Sequence, residues 1–205
     1  MGEKKYTNLI PENIEGREIT AIASTHLDTR NFAISKYRLA RERLLSIHQW
    51  HGISGTVSAR FQLTDFKGAA LHCQAEKGHF IRIDIPGPGS KAGKGYDWVQ
   101  IEDIKEINSK DIDSIAILVR PSSNPGTDNT DIAHFYAQQS TSTFVVTREN
   151  NKVTAAIYDR NIESNDKTAE PIDKLRNAVV GLGAKHIFSK LQWQALAEGL
   201  LHHVE

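Results

Sequence analysis

Regular alternation of apolar and polar residues is the feature that most constrains how this chain can fold. Residues 56–64 alternate with a period of two, which predicts a strand with one buried face. The same pattern returns in residues 71–76 and 80–85, and turn sequences containing Gly68 and Gly78 separate the three segments. The sequence therefore predicts a three-stranded antiparallel meander.

Strand composition continues along the chain. The further predicted strands are residues 17–24, 97–104, 114–120, 143–148 and 153–158. The last two flank the turn sequence Glu149-Asn150-Asn151-Lys152 and form a predicted hairpin. Residues 132–139 fit either a helical turn or a strand. Seven or eight strands are expected in all.

Helical periodicity is found near both ends of the chain. In residues 32–49, apolar residues recur at spacings of three and four, and Thr29 or Asn31 can cap the helix start. A second helix is predicted for residues 171–180, which two glycines follow.

The last predicted helix begins at Lys190. The sequence Ser189-Lys190-Leu191-Gln192 matches a capping box, and Phe188 and Trp193 occupy the positions of a hydrophobic staple. The predicted class is therefore α+β, a mainly antiparallel sheet with an N-terminal helix and two C-terminal helices. At 205 residues the chain fits one globular domain, in which residues 1–16 form a loosely ordered arm.

Composition excludes several classes of function. Lys plus Arg and Asp plus Glu both number 25, so no net field attracts nucleic acid or an anionic membrane. No apolar run approaches the ~20 residues that a membrane-spanning helix needs. A lone cysteine, Cys73, favours a reducing compartment over secretion. We expect a soluble cytoplasmic protein without membrane spans.

Local motifs do not identify an enzyme. The glycine-rich residues 86–95 lack the spacing of a phosphate-binding loop and precede a strand, so they are interpreted as a connection. His48 and His51 have no third ligand at suggestive spacing. Cys73 lies on the apolar face of its predicted strand, which favours a buried hydrophobe over a nucleophile. No catalytic residue, metal or cofactor is predicted.

The first helix is basic. Its cations are Arg30, Lys36, Arg38, Arg41 and Arg43. They can contact phosphate or an acidic partner. Their spread on both sides of the apolar stripe instead favours a solvated collar, in which the charged ends face water and the aliphatic stems of the side chains cover hydrophobic surface.

The second face of the predicted meander carries the candidate ligand-binding residues. Phe80 and Trp98 add aromatic area to a face on which Arg82 and Asp84 are two residues apart. This mixture is found in a ligand cleft, although an ordinary solvent face explains it too. With His134, these residues form the predicted ligand-binding set.

The order of a strand, a helix, an antiparallel meander with hairpins and a C-terminal helix resembles the helix-grip arrangement of the START-like superfamily, which includes polyketide cyclases and lipid-transfer domains. The resemblance covers roughly residues 17–201. It implies a curved sheet that grips a long C-terminal helix, with a small-molecule cavity between them. This chain departs from it in its predicted pair of C-terminal helices and its longer N-terminal helix, and no functional residue is carried over.

Three functions remain open from the sequence. The first is binding of a small, partly hydrophobic molecule without a cofactor. The second is a non-enzymatic interaction or assembly module that uses the aromatic sheet face or an edge strand. Such a module can form a homo-oligomer. The third is an enzyme of cyclase or isomerase type, which needs a buried acid or histidine facing the pocket; Asp84 and His134 are its first candidates.

Overall fold

One antiparallel sheet organises the fold. The computed structural model describes residues 3–55, 59–85, 90–165 and 182–202. The seven strands are β1 (Arg17–His26), β2 (Arg60–Thr64), β3 (Phe80–Asp84), β4 (Asp97–Asn108), β5 (Ile112–Pro121), β6 (Thr141–Glu149) and β7 (Lys152–Ile162). Their order in the sheet is β1-β7-β6-β5-β4-β3-β2, and every pair is antiparallel.

Within the described residues, three helices accompany the sheet. They are α1 (Arg30–Leu45), α2 (Trp50–Ser54) and α3 (Leu182–Leu201), with short 3-10 turns at Lys5–Thr7 and Ile47–Gln49. The predicted α+β class with a mainly antiparallel sheet is confirmed. Among the helices of the described residues, none is long and apolar enough to cross a membrane.

The predicted hairpin of β6 and β7 is confirmed. Asn150 turns the chain with a φ of 52°, a left-handed conformation that asparagine tolerates better than most residues. β5 lies between β4 and β6, and this interior position explains its nearly continuous apolar sequence. Residues 132–139 form no regular element and make one isolated bridge, Tyr136 to Ser164.

The predicted three-stranded meander is wrong in its middle strand. β2 pairs directly with β3, and residues 71–76 belong to the connection between them. The amide of Ala75 donates to O of Leu45, the last residue of α1, at 2.8 Å. Because the Ala75 amide donates outside the sheet, residues 71–76 do not form a continuous ladder of strand hydrogen bonds despite their alternating sequence. Cys73, predicted to be buried, is exposed.

α1 begins as its sequence indicates and ends earlier. Thr29 caps it, accepting a hydrogen bond from Phe32 N at 3.2 Å. The helix stops at Leu45 instead of continuing to residue 49. The buried indole of Trp50 folds back and donates to Arg43 O and Leu44 O at 3.2 Å. Arg43 O also accepts from Ser46 N at 3.2 Å. The last carbonyls of a helix lack the regular helical donors, so the indole adds a donor at this helix end.

The predicted start of the last helix at Lys190 is wrong. α3 is continuous from Leu182 and includes Gly183. Both residues of the proposed capping box make tertiary contacts: Ser189 Oγ hydrogen-bonds to Tyr136 OH, and Gln192 Oε1 accepts from Ala59 N. Tertiary partners have therefore replaced the local cap. The predicted helix of residues 171–180 and the side chain of Phe188 lie outside the described residues.

Two cations of the basic helix are buried, contrary to the predicted solvated collar. Lys36 Nζ donates to Leu201 O at 3.0 Å, and Arg43 NH1 donates to Gly199 O, Leu200 O and His202 O at 2.7–3.2 Å. Both side chains are less than a tenth exposed. They satisfy the carbonyl end of α3, where positive charge is favourable.

The main core lies between one face of the sheet, here called the inner face, and the helices. α3 passes very close to α2 at Gly199, where an added Cβ would lie 2.0 Å from Ile53 O. A side chain at this position would force the helices apart, so glycine is required for the packing of α3 against α2.

A smaller core covers the outer face of the sheet. Leu9 and Ile10 are buried there against Ala116, Val145 and Tyr158. We predicted a loosely ordered arm for residues 1–16, but this part of it packs on the sheet.

Candidate functional site

An apolar cavity of about 60 Å³ lies between the inner face of the sheet and the helices. Its apolar lining comprises Trp50, Ala59, Phe61, Ile81, Ile83, Ile85, Val99, Val119, Phe135, Phe144 and Trp193. Alternation along β3 and β4 places Ile81, Ile83 and Val99 on this face. A buried water needs about 10–15 Å³, so the cavity holds a few water molecules or a small group of a ligand.

Polar side chains also reach this cavity. They are His134, Tyr136, Ser142, Ser189 and Gln192. His134 Nδ1 accepts from Tyr136 N at 2.9 Å, and the Tyr136 hydroxyl is 3.3 Å from Ser189 Oγ. Burial raises the pKa of Tyr136 far above its ordinary value, so its hydroxyl stays protonated and can donate. A mainly apolar wall thus carries a few fixed polar groups, as small-molecule sites do.

Gln192 leaves a buried donor unused. Its Oε1 accepts from Ala59 N at 2.7 Å, which fixes the orientation of the amide. The Nε2 group is buried and has no hydrogen-bond partner among the described residues. An unsatisfied buried polar group costs about 1–3 kcal/mol. A ligand atom that accepts a hydrogen bond in the cavity would recover that energy.

Asp159 lies beside the polar lining and was not identified from the sequence. Its Oδ2 accepts from Trp193 Nε1 at 2.8 Å, and Ser142, directly opposite on β6, also hydrogen-bonds to the carboxyl group. Burial raises the pKa of Asp159 to about 6, against the opposing effects of those two hydrogen bonds and the charge of Arg160. Oδ1 has no partner in the described part of the chain. This carboxyl group can gain or lose a proton near neutral pH.

Asp159 meets part of the condition set above for acid–base chemistry, because it is buried but does not itself line the cavity. It is a buried acid with a shifted pKa, and two of its partners, Ser142 and Trp193, line the cavity. Of the two candidates named from the sequence, Asp84 is exposed and His134 lines the cavity.

The structure separates the five predicted ligand-binding residues. His134 lies on the cavity, whereas Phe80, Arg82, Asp84 and Trp98 alternate with cavity-lining residues of β3 and β4 and so lie on the opposite, outer face. Their ligand binding stays a prediction for that face.

The outer face around Trp98 is covered. The Trp98 side chain is 3% exposed and its Nε1 donates to Gly93 O at 3.2 Å. The Arg82 guanidinium lies over the Tyr96 ring, 4.6 Å from its centroid. Trp98, one of the two aromatic residues of the face that the interaction-module hypothesis uses, is thus buried, whereas Phe80 is half-buried. The edge-strand alternative of that hypothesis stays a prediction.

One sequence signal could have identified a missed residue. Asp159 continues the inward-facing alternation of Val153, Ala155 and Ile157, and a carboxylate at such a position is unusual. Gln192 was interpreted as part of a capping box, so its tertiary role was hidden. No local pattern brings Tyr136 to Ser189.

No group of three or more potential metal ligands from His, Cys, Asp and Glu gathers within residues 3–55, 59–85, 90–165 and 182–202. The His48 ring lies edge-on to His72 with centroids 6.0 Å apart.

Sequence comparison identifies no relative: no family model and no curated protein matches the chain. Solved structures do match. A hypothetical protein from Helicobacter pylori has a TM-score of 0.50 at 10% identity, over 98% of this chain and 95% of that one. The fold is a helix grip. The chain's own topology, an antiparallel sheet that packs against a long C-terminal helix, confirms the predicted resemblance to START-like proteins at the level of the fold.

Two further structural matches have lower scores. A START superfamily protein from Mycobacterium smegmatis matches with a TM-score of 0.35 at 9% identity, over 86% of this chain and 95% of that one. Norcoclaurine synthase from Thalictrum flavum matches with a TM-score of 0.38 at 5% identity, over 95% of this chain and 100% of that one.

Proposed function

We propose that the helix-grip domain binds a small, mainly apolar molecule that carries a hydrogen-bond acceptor, in the cavity between sheet and helices. The observation that carries the proposal is the buried Nε2 group of Gln192 on a mainly apolar lining, which has no hydrogen-bond partner among the described residues. Its donor would be satisfied by a carbonyl or ether oxygen, while Phe61, Val119 and Phe144 would contact the apolar part of the ligand.

His134 keeps its predicted place in the ligand-binding set, since it lines the cavity. Because its Nδ1 accepts from Tyr136 N, a neutral His134 carries its proton on Nε2. The other four predicted residues would require a different ligand on the outer face. The size of the cavity favours a ligand with one ring or a short chain in the buried part.

A matched pair of small ligands tests the proposal. Acetophenone and ethylbenzene have similar shapes, but only the ketone accepts a hydrogen bond. We expect thermal unfolding of the wild-type protein to shift upward with acetophenone more than with ethylbenzene, because a ligand that binds only the folded state stabilises it. Gln192→Glu keeps an acceptor for Ala59 N and removes the free amide donor, so it should lose the preference for the ketone.

Two further variants complete the test. Gln194→Glu makes the same change on α3 outside the cavity lining and should keep the preference. Val119→Phe fills the cavity and should abolish the response to both ligands. The proposal is wrong if neither acetophenone nor any other small apolar carbonyl compound stabilises the wild type, or if Val119→Phe responds as the wild type does.

A further inference from the structure

A second concavity, independent of the apolar cavity, is rich in arginine. It is a groove of about 530 Å³ between α1 and the ends of β4, β5 and β6. We call it the arginine groove, after Arg30, Arg38, Arg41 and Arg148, which line it. Its volume is within the range of about 300–1,000 Å³ that small-molecule sites occupy.

Two of the four arginines are already neutralised. Arg41 Nε and NH2 donate to the two carboxylate oxygens of Glu106, each at 2.8 Å. The buried Arg148 donates through Nε to Asp113 Oδ2 at 2.6 Å, and its other nitrogens donate to backbone carbonyls. These pairs leave little charge for a ligand.

Neither Arg30 nor Arg38 has a hydrogen-bonded carboxylate among the described residues, and Arg30 makes only a long ion pair with Asp111. Arg30 Nε is buried without a hydrogen-bond acceptor in the described part of the chain. Arg30 NH2 is 4.0 Å from Asp111 Oδ1, which is too long for a hydrogen bond. Arg38 is exposed on the same helix, and within the described residues it makes no ion pair. The Nε group of Arg30 has lost water without gaining an acceptor among the described residues, which is unfavourable, so the groove favours an added anion.

We propose that the arginine groove binds the oxyanion group of a small polar molecule through Arg30 and Arg38. Guanidinium groups present paired donors that match phosphate and carboxylate oxygens. The amides of Gln74 and Asn108 also line the groove and suit the polar remainder of such a molecule. Glu42, also on the lining, and the zero net charge of the chain favour a small anion over a long polyanion.

Calorimetric titration with pyrophosphate and, separately, citrate tests this site and distinguishes phosphate from carboxylate. We expect the wild type to bind at least one of the two anions saturably at one equivalent, and more weakly as the salt concentration rises. Arg30→Gln and Arg38→Gln should each weaken binding about tenfold, as expected for loss of a charge-assisted hydrogen bond.

Arg60→Gln is the matched control, because Arg60 is exposed on β2 outside the groove. It removes the same charge and should leave the affinity unchanged. Circular dichroism establishes that each variant is folded. The proposal is overturned if neither anion binds the wild type saturably, if the two groove variants keep wild-type affinity, or if Arg60→Gln weakens binding as much as they do. Acetophenone binding should be unaffected throughout, so the two proposals fail separately.

Discussion

Asp159 shows how one residue links the sheet, the last helix and the cavity. Its carboxyl group accepts from the indole of Trp193, which packs against Phe61 and Phe144 at the cavity wall. Burial opposes its ionisation and raises its pKa to about 6 from 3.8. The protonated form is thus favoured by the fold. The stabilisation associated with that form is complete below pH 3.8 and is lost as the pH rises through 6.

Asp159→Asn should remove this pH dependence. The amide oxygen can still accept from Trp193, and no charge is buried. Two pKa units correspond to about 3 kcal/mol. The free energy of unfolding of the variant minus that of the wild type should therefore be larger at pH 7.5 than at pH 4 by about that amount. Urea denaturation at the two pH values measures it.

The exposed Asp84 provides the control. Asp84→Asn should give the same difference from the wild type at both pH values, within about 0.5 kcal/mol. If Asp159→Asn also shows no change with pH, the carboxyl group of Asp159 is ionised in both states over this range and our assignment is incorrect.

At the scale of elements, α3 is held in place by residues of α1 and by close packing against α2. Its carbonyl end accepts from Lys36 and Arg43 of α1, while Gly199 allows its close approach to α2. Burial, and secondarily the charge of Arg43, lowers the pKa of Lys36. The helices therefore form one unit in which cations of α1 replace the missing helical donors at the end of α3.

Arg43→Met tests this interhelical cap. Methionine keeps much of the apolar stem, but it leaves the carbonyls of Gly199, Leu200 and His202 without the guanidinium donor. Loss of charged hydrogen bonds to buried groups should lower the free energy of unfolding by about 3 kcal/mol. Arg38→Met, an exposed change on the same helix, should cost less than about 0.5 kcal/mol. Equal effects in urea denaturation would show that the buried guanidinium does not stabilise the helix end.

At the scale of the whole molecule, both faces of the sheet are covered in different ways. The inner face packs against the helices around the main core and the cavity. The outer face is covered in part by residues before β1, through Leu9 and Ile10, and Lys4 N donates to Tyr158 OH at 3.1 Å. Lys4, Leu9 and Ile10 thereby contact the outer face of the sheet.

Leu9→Ala measures the contribution of that segment. Truncation of a buried leucine leaves a cavity and should lower the free energy of unfolding by about 2–4 kcal/mol. Ile14 belongs to the same segment and is 87% exposed, so Ile14→Ala should have little effect. An equally small effect of Leu9→Ala in chemical denaturation would support the loosely ordered arm that the sequence predicted.

The sequence by itself determined the elements whose pattern is local. β5, the hairpin of β6 and β7, and a cap of α1 at Thr29 or Asn31 follow from alternation, turn residues and capping side chains within a few positions of one another. The α+β class follows from these same patterns, and so does the order of elements that resembles a helix grip.

Only the tertiary structure decided the hydrogen-bond partners of residues whose local pattern is ambiguous. Residues 71–76 alternate like a strand, yet the amide of Ala75 bonds to Leu45; Ser189 and Gln192 look like a cap, yet they bond to Tyr136 and Ala59. The cavity depends on the same long-range contacts, since β2, β3, β4 and α3 meet there from distant parts of the chain. Local periodicity states which side of an element is apolar, but the partner of each polar group is set by packing between elements. For that reason, the sequence identified His134 as a ligand-binding candidate and missed Gln192 and Asp159.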